Sequence, residues 1–234
     1  MREIVLDTET TGFEPSEGHR IVEIGAVELV NHMPTGRTYH QYINPERAMP
    51  TEAFEVHGLG DDFLRDKPRF AQIAEAFLAF IGADAQLVIH NASFDMKFLN
   101  AELGWAGHGP IAGNRALDTL AVARRKFPGA PSSLDALCRR FGIDNSSREK
   151  HGALLDSELL AEIYLELIGG RQPDFGLSES SAGAVQPGPE AMREAWKAHR
   201  RPDPLPPRLT GDETAAHAAF VEGMGDKAIW RKFG

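Results

Sequence analysis

Near the N-terminus runs Ile4-Val5-Leu6-Asp7-Thr8-Glu9-Thr10-Thr11-Gly12, an apolar strand that carries two carboxylates and closes in a turn. Residues two apart on a strand leave the same face, so Asp7 and Glu9 stand side by side. Neighbouring carboxylates in an apolar strand repel each other and cost stability; a divalent cation between them reverses the sign. An exposed strand face with ordinary surface charges is the other reading of the pair. Gly12 allows a tight turn and close approach of a ligand to the backbone.

Working outward, residues 3–10 and 21–30 read as strands joined by a turn over 12–19, and a third strand over 38–43 completes an antiparallel meander. Apolar residues at Phe70, Ile73, Ala74, Phe77, Leu78 and Ile81 predict a helix, and 86–90 a short buried strand. Another helix begins near Phe94. Residues 114–117 suit a further strand, with helices over 119–126, 133–141 and 153–168. Strands first, then strands alternating with helices, indicate an α/β domain with a mixed sheet.

The chain has 234 residues, 42% hydrophobic and 25% charged, so a sizeable core is available. Its longest apolar stretch stops at Asp84, far short of the roughly 20 residues that span a bilayer. No apolar run near the N-terminus suits a signal peptide, and the single cysteine, Cys138, excludes an internal disulfide; a reducing cytoplasm fits best. With 25 basic against 34 acidic residues the formal charge is −9, and nucleic acid repels such a surface on average. A DNA substrate therefore requires either metal ions on clustered carboxylates or a tether to a DNA-bound partner.

Seven of the 15 prolines lie between Pro173 and Pro207, among serines and glycines, which reads as a linker over 171–208 after a domain at 1–170. Residues 209–234 are too few for a core of their own, yet contain Phe220, Val221, Met224, Ile229, Trp230 and Phe233. That combination suggests docking on a partner; folding back onto the domain is the alternative. Basic doublets Arg124-Arg125 and Arg139-Arg140 read as solvated helix faces or phosphate contacts.

Two more acids complete a pattern. Asp95 follows the buried strand in the first turn of a helix, where carboxylates are common because they offset the helix dipole. Asp156 opens a long helix with Leu160, Ile163 and Leu167 behind it, on or beside the apolar face, where a carboxylate needs a partner. His151 precedes that helix on a glycine-hinged lead.

The order D-x-E, then Asp after a short strand, then H-x-x-x-x-D resembles the DEDD superfamily of 3′→5′ exonucleases in its histidine-bearing branch. Several stretches look like the epsilon, or proofreading, subunits of bacterial DNA polymerase III: 4–12, I-V-E-I-G-A-V-E at 21–28, V-H-G at 56–58, L-V-I-H-N-A-S-F-D at 87–95, S-L-D-A-L-C at 133–138 and H-G-A-L-L-D at 151–156. This resemblance implies a ribonuclease H-like, five-stranded mixed sheet flanked by helices, with a flexible C-terminal tail. It also implies a DNA exonuclease that releases nucleoside 5′-monophosphates. Asp7, Glu9, Asp95 and Asp156 would hold two Mg²⁺ or Mn²⁺ ions and His151 would be the general base. Asp7, Glu9 and Asp156 would serve one ion, with Asp7 bridging to a second held by Asp95. Glu52, His57 and Phe94 would lie against the terminal nucleotide. Thr210 and the residues after it would bind the polymerase alpha subunit, and 172–177 is either a peptide for the sliding clamp or plain linker. An RNA-trimming nuclease and a non-catalytic assembly subunit are the rival readings.

Overall fold

The computed structural model describes residues 1–146, 150–169 and 209–225. The first two stretches belong to one compact unit and the third to another.

The first unit is built on five strands, β1 (Arg2–Thr10), β2 (Ile21–Val30), β3 (Met33–Tyr42), β4 (Gln86–Ile89) and β5 (Ala116–Asp118), in the order β3-β2-β1-β4-β5. The β3-β2-β1 half is antiparallel and the β1-β4-β5 half parallel, the mixed ribonuclease H-like arrangement expected. Asn31 and His32 join β2 to β3 with φ of 51° and 64°, a two-residue connection whose twist matches that of the strands. β3 therefore starts at Met33, five residues earlier than expected. Its first half, on an edge strand, is exposed on both faces and shows no apolar alternation to read.

Among the described residues seven helices surround the sheet: α1 (Thr51–His57), α2 (Asp61–Leu64), α3 (Phe70–Ile81), α4 (Ala92–Trp105), α5 (Thr119–Lys126), α6 (Leu134–Phe141) and α7 (Ala153–Ile168). The bounds of α3, α5 and α7 follow the apolar periodicity. Ser133 is the N-cap of α6 rather than its first residue, its Oγ accepting from Ala136 N–H. α1 escapes the pattern because His57 is its one buried residue.

Side-chain alternation along β1 divides the core. Ile4 and Leu6 pack with Phe70, Phe77, Phe98 and Leu99 of α3 and α4, whereas Val5 packs with Leu160, Ala161 and Tyr164 of α7. The period of two then directs Asp7 and Glu9 to the α7 side. Outside α7 lies a smaller cluster of Ala123, Leu137, Cys138 and Ile163 that fastens α5 and α6.

α7 packs along β1 and β2, and its first turn comes closest to the sheet at Gly25. Gly25 on β2 is paired with Asp7 on β1, and a Cβ on Gly25 would overlap the backbone of Ala153 and Leu154. Ser157 Oγ donates to the Gly25 carbonyl at 3.0 Å. The bare glycine lets the first turn of α7 rest on the sheet beside Asp7.

In the second unit α8 (Gly211–Gly223) starts with a capping box between Thr210 and Glu213. None of its described residues is buried, and Leu209 and Phe220 are exposed. The linker over 171–208, the peptide 172–177 and residues 226–234 lie outside the described residues. No helix among the described residues is long and apolar enough to cross a membrane.

Candidate metal and nucleotide site

Parallel pairing of β1 with β4 brings their C-terminal ends to one edge of the sheet, the usual position of ligand crevices in open α/β sheets. Asp7 and Glu9 lie near the end of β1, Asp95 in the first turn of α4 behind β4, and Asp156 in the first turn of α7. All four, with His151, line one cavity of about 650 Å³. Glu9, Asp95 and Asp156 are only 9%, 3% and 4% exposed, which removes the reading of an ordinary charged surface.

Donor atoms of Glu9, His151 and Asp156 lie within 4.8 Å of one another, with His151 Nδ1 3.4 Å from Asp156 Oδ2. Asp7 and Asp95 line the same cavity. A donor set of buried carboxylates and one exposed imidazole fits a hard divalent cation; thiolates are absent from it. His151 thus stands among the donors themselves. Its own N–H donates to Val56 O at 3.3 Å, tying the lead into α7 to the end of α1.

On the α4 side, Thr8 Oγ1 donates to Asp95 Oδ1 at 2.7 Å. Burial pushes the Asp95 carboxyl up to about 7, Asp118 nearby adds to the rise, and the Thr8 hydrogen bond opposes it. A carboxyl raised in the folded state stabilises the cation-free protein below its unfolded pKa, and that contribution is lost as pH rises through about 7. The gain in Tm on adding Mg²⁺ should therefore be larger at pH 8 than at pH 5.5. Equal gains in paired thermal melts would show that Asp95 is not part of the cation site.

The turn from β4 to α4 is held from β5. Asn91 is left-handed, with φ of 64°, and its N–H donates to Asp118 Oδ1 at 3.0 Å. The same oxygen caps α5 through Leu120 N–H at 2.9 Å. His90 Nδ1 lies 3.0 Å from Thr119 Oγ1, and burial holds its pKa below the usual histidine value.

A second cavity of about 490 Å³ adjoins the first and shares Thr8, Glu9 and Phe94 with it. Phe13, Pro50, Ala53 and Val56 give it a mostly apolar lining, to which Glu52 and His57 of α1 add polar groups. His57 Nδ1 accepts from Leu59 N–H at 3.0 Å; burial lowers its pKa, the Thr10 backbone opposes this, and Lys150 and His151 add to the lowering. Glu52 is exposed, on a helix rather than a loop. Phe94 is half-buried, stacks against Phe98 at 5.1 Å and forms part of both cavities, so it is at once core and wall. A Cβ on Gly12 would overlap the His19 ring, whose Nδ1 is 3.1 Å from Thr11 Oγ1.

All the predicted site residues thus lie in two adjoining cavities. Sequence reasoning missed Thr8, Gly25 and Asp118, which position the acids. It also left Arg124 undecided, and Arg124 lies on the wall of the acidic cavity. The glycine paired with an acid across a strand pair was a usable signal; Asp118 had none, because its partner is a backbone N–H.

The family model described as Exonuclease (RNase_T) matches residues 4–164. The chain is 56% identical over 184 residues to DNA polymerase III subunit epsilon of Rickettsia felis, covering 77% of this chain and 80% of that protein. It is 44% identical over 240 residues to DNA polymerase III subunit epsilon of Escherichia coli K12, covering 98% and 97%. Among solved structures, the nuclease domain of 3′hExo, a DEDDh family member bound to rAMP, is similar in fold. That match has a TM-score of 0.62 and 21% identity, and covers 71% of this chain and 91% of the other.

Proposed function

The chain belongs to the exonuclease family, and on that premise we propose that it proofreads as the epsilon subunit of a bacterial DNA polymerase III, hydrolysing mispaired 3′-terminal nucleotides from DNA in a divalent-metal-dependent reaction. The observation that carries this reading is the convergence of Asp7, Glu9, Asp95, Asp156 and His151, from three separate stretches of chain, on one cavity.

Asp7, Glu9, Asp95 and Asp156 would hold two Mg²⁺ or Mn²⁺ ions. Such ions would supply neutralisation of the carboxylates and stabilisation of charge on the phosphoryl oxygens. The protein's own groups do the rest. Asp156 Oδ2 beside His151 Nδ1 favours the tautomer protonated there, leaving Nε2 to take the proton of the attacking water. The apolar cavity receives the terminal nucleoside, with Phe94 against the base and Glu52 and His57 at its polar side. Hydrolysis then releases a nucleoside 5′-monophosphate.

The apolar lining reads no base-specific pattern. Discrimination comes from fraying, since unstacking costs a few kcal/mol and least at a mismatch. The tail supports recruitment: 210–233 binds the alpha subunit, and α8 presents exposed Phe220 for it. A tether gives high effective concentration, so a chain of net charge −9 need not grip DNA tightly itself. Clamp contact through 172–177 and action in the cytoplasm belong to the same reading.

Primer-end digestion tests it. Mispaired 3′ ends should disappear several-fold faster than paired ones, and EDTA should stop both. Faster removal of matched RNA than of single-stranded DNA would overturn the DNA assignment, and digestion that survives EDTA would overturn the metal requirement.

A further inference from the structure

The proposed reaction accounts for the acids and the apolar cavity, but not for the far wall of the acidic one. That wall is formed by one face of α5 and the loop into α6: Leu120, Arg124, Ala130, Pro131, Ser132 and Ser133. Arg124 is the one Lys or Arg side chain among its described residues, and no described carboxylate lies within ion-pairing distance of the guanidinium. Its neighbours on the helix differ. Lys126 Nζ caps α7 by donating to Glu166 O at 3.2 Å and Leu167 O at 2.9 Å. Arg125 is absent from the cavity wall. The exposed guanidinium faces four carboxylates across the cavity, where a negatively charged ligand arriving between them would find a partner.

The sequence of cavities says which part of the ligand that is. If the terminal nucleoside fills the apolar cavity and its 5′ phosphate meets the acids, the strand must continue into the remaining part of the acidic cavity. There Pro131 is shared with a further depression lined by Ala136, Arg139 and Arg140. The charge changes from acidic to basic along this line, as a polyanion leaving a cation-filled site requires.

We propose that Arg124 is a binding residue for the phosphodiester upstream of the scissile one, and that the strand leaves over Pro131 toward Arg139 and Arg140. This rests on the exonuclease reading above. It assigns a subsite to the strand that is not being cut.

The test compares two substrates on the full chain in saturating Mg²⁺. One is a single-stranded oligodeoxynucleotide; the other is the p-nitrophenyl ester of thymidine 5′-monophosphate, which has one phosphorus and nothing upstream. In Arg124→Ala the ratio of kcat/KM for the oligonucleotide to that for the ester should fall about tenfold, the worth of one charge-assisted hydrogen bond, mainly through KM. Arg124→Lys should recover part of it, and in Arg124→Ala the slope of log KM against log salt should flatten by about 0.7. A ratio within twofold of the parent, or equal losses on both substrates, overturns the upstream assignment. If the unmodified chain removes no nucleotides from DNA at all, the exonuclease reading itself fails and the subsite goes with it.

Discussion

Alanine at both Asp7 and Glu9 should lower metal-dependent release of nucleoside monophosphates by on the order of 10⁴-fold, two losses of the 10²–10³ class compounded. The same variant should fold at least as well as the parent in EDTA. Asp7 and Glu9 share a face of β1, Glu9 is paired across the sheet with Glu23, and Asp156 closes on them from α7, so removing two negative charges relieves repulsion when no cation is bound. The parent should gain thermal stability from Mg²⁺ and the variant should not. Binding to the polymerase alpha subunit, proposed above for the tail, should persist, because the tail belongs to a separate unit. A variant that melts well below the parent in EDTA would mean that the acids hold the fold together, and a variant that still excises nucleotides would end the mechanism given above.

Gly25→Ala should be nearly as damaging, although Gly25 carries no chemistry. The added methyl meets main-chain atoms of Ala153 and Leu154, which have no rotamer to move out of the way. Either the first turn of α7 lifts or β2 bends, and overpacking of this kind costs about 1–3 kcal/mol. Asp156 and His151 travel with that turn, and a displacement of about 1 Å in a catalytic group is enough for a loss near 10²-fold. Melting temperature and kcat should therefore fall together in Gly25→Ala, whereas Ser157→Ala, which removes only the hydrogen bond to the same carbonyl, should give a much smaller change. Near-parental kcat in Gly25→Ala would show that α7 does not depend on this contact.

Much of this arrangement was legible in the sequence, and the parts that were not share a cause. Phe70–Ile81 and Ala153–Ile168 were readable because each presents a continuous apolar stripe to the sheet, and the acids were readable because buried charge in an apolar strand demands an explanation. Met33–Arg37 was not, since pairing at a sheet edge is made by backbone groups that impose no side-chain pattern. Thr51–His57 was not, since a helix with one buried residue looks like any polar loop. Arg124 was the instructive case: as one of a basic pair near a helix C-terminus it was as well explained by the helix dipole as by a ligand, and only its place on the cavity wall separates the two.

The position of α7 in chain order has an implication for how such a nuclease is born. Asp7 leaves the ribosome well before Asp95, and Asp156 with His151 only when the last described helix of the catalytic unit is made. Until that helix settles against Gly25, the nascent polypeptide lacks two of the groups to which the proposed mechanism assigns cutting. On that mechanism, activity would switch on in a single step once this helix is in place, and half-finished chains would pose no hazard to the genome.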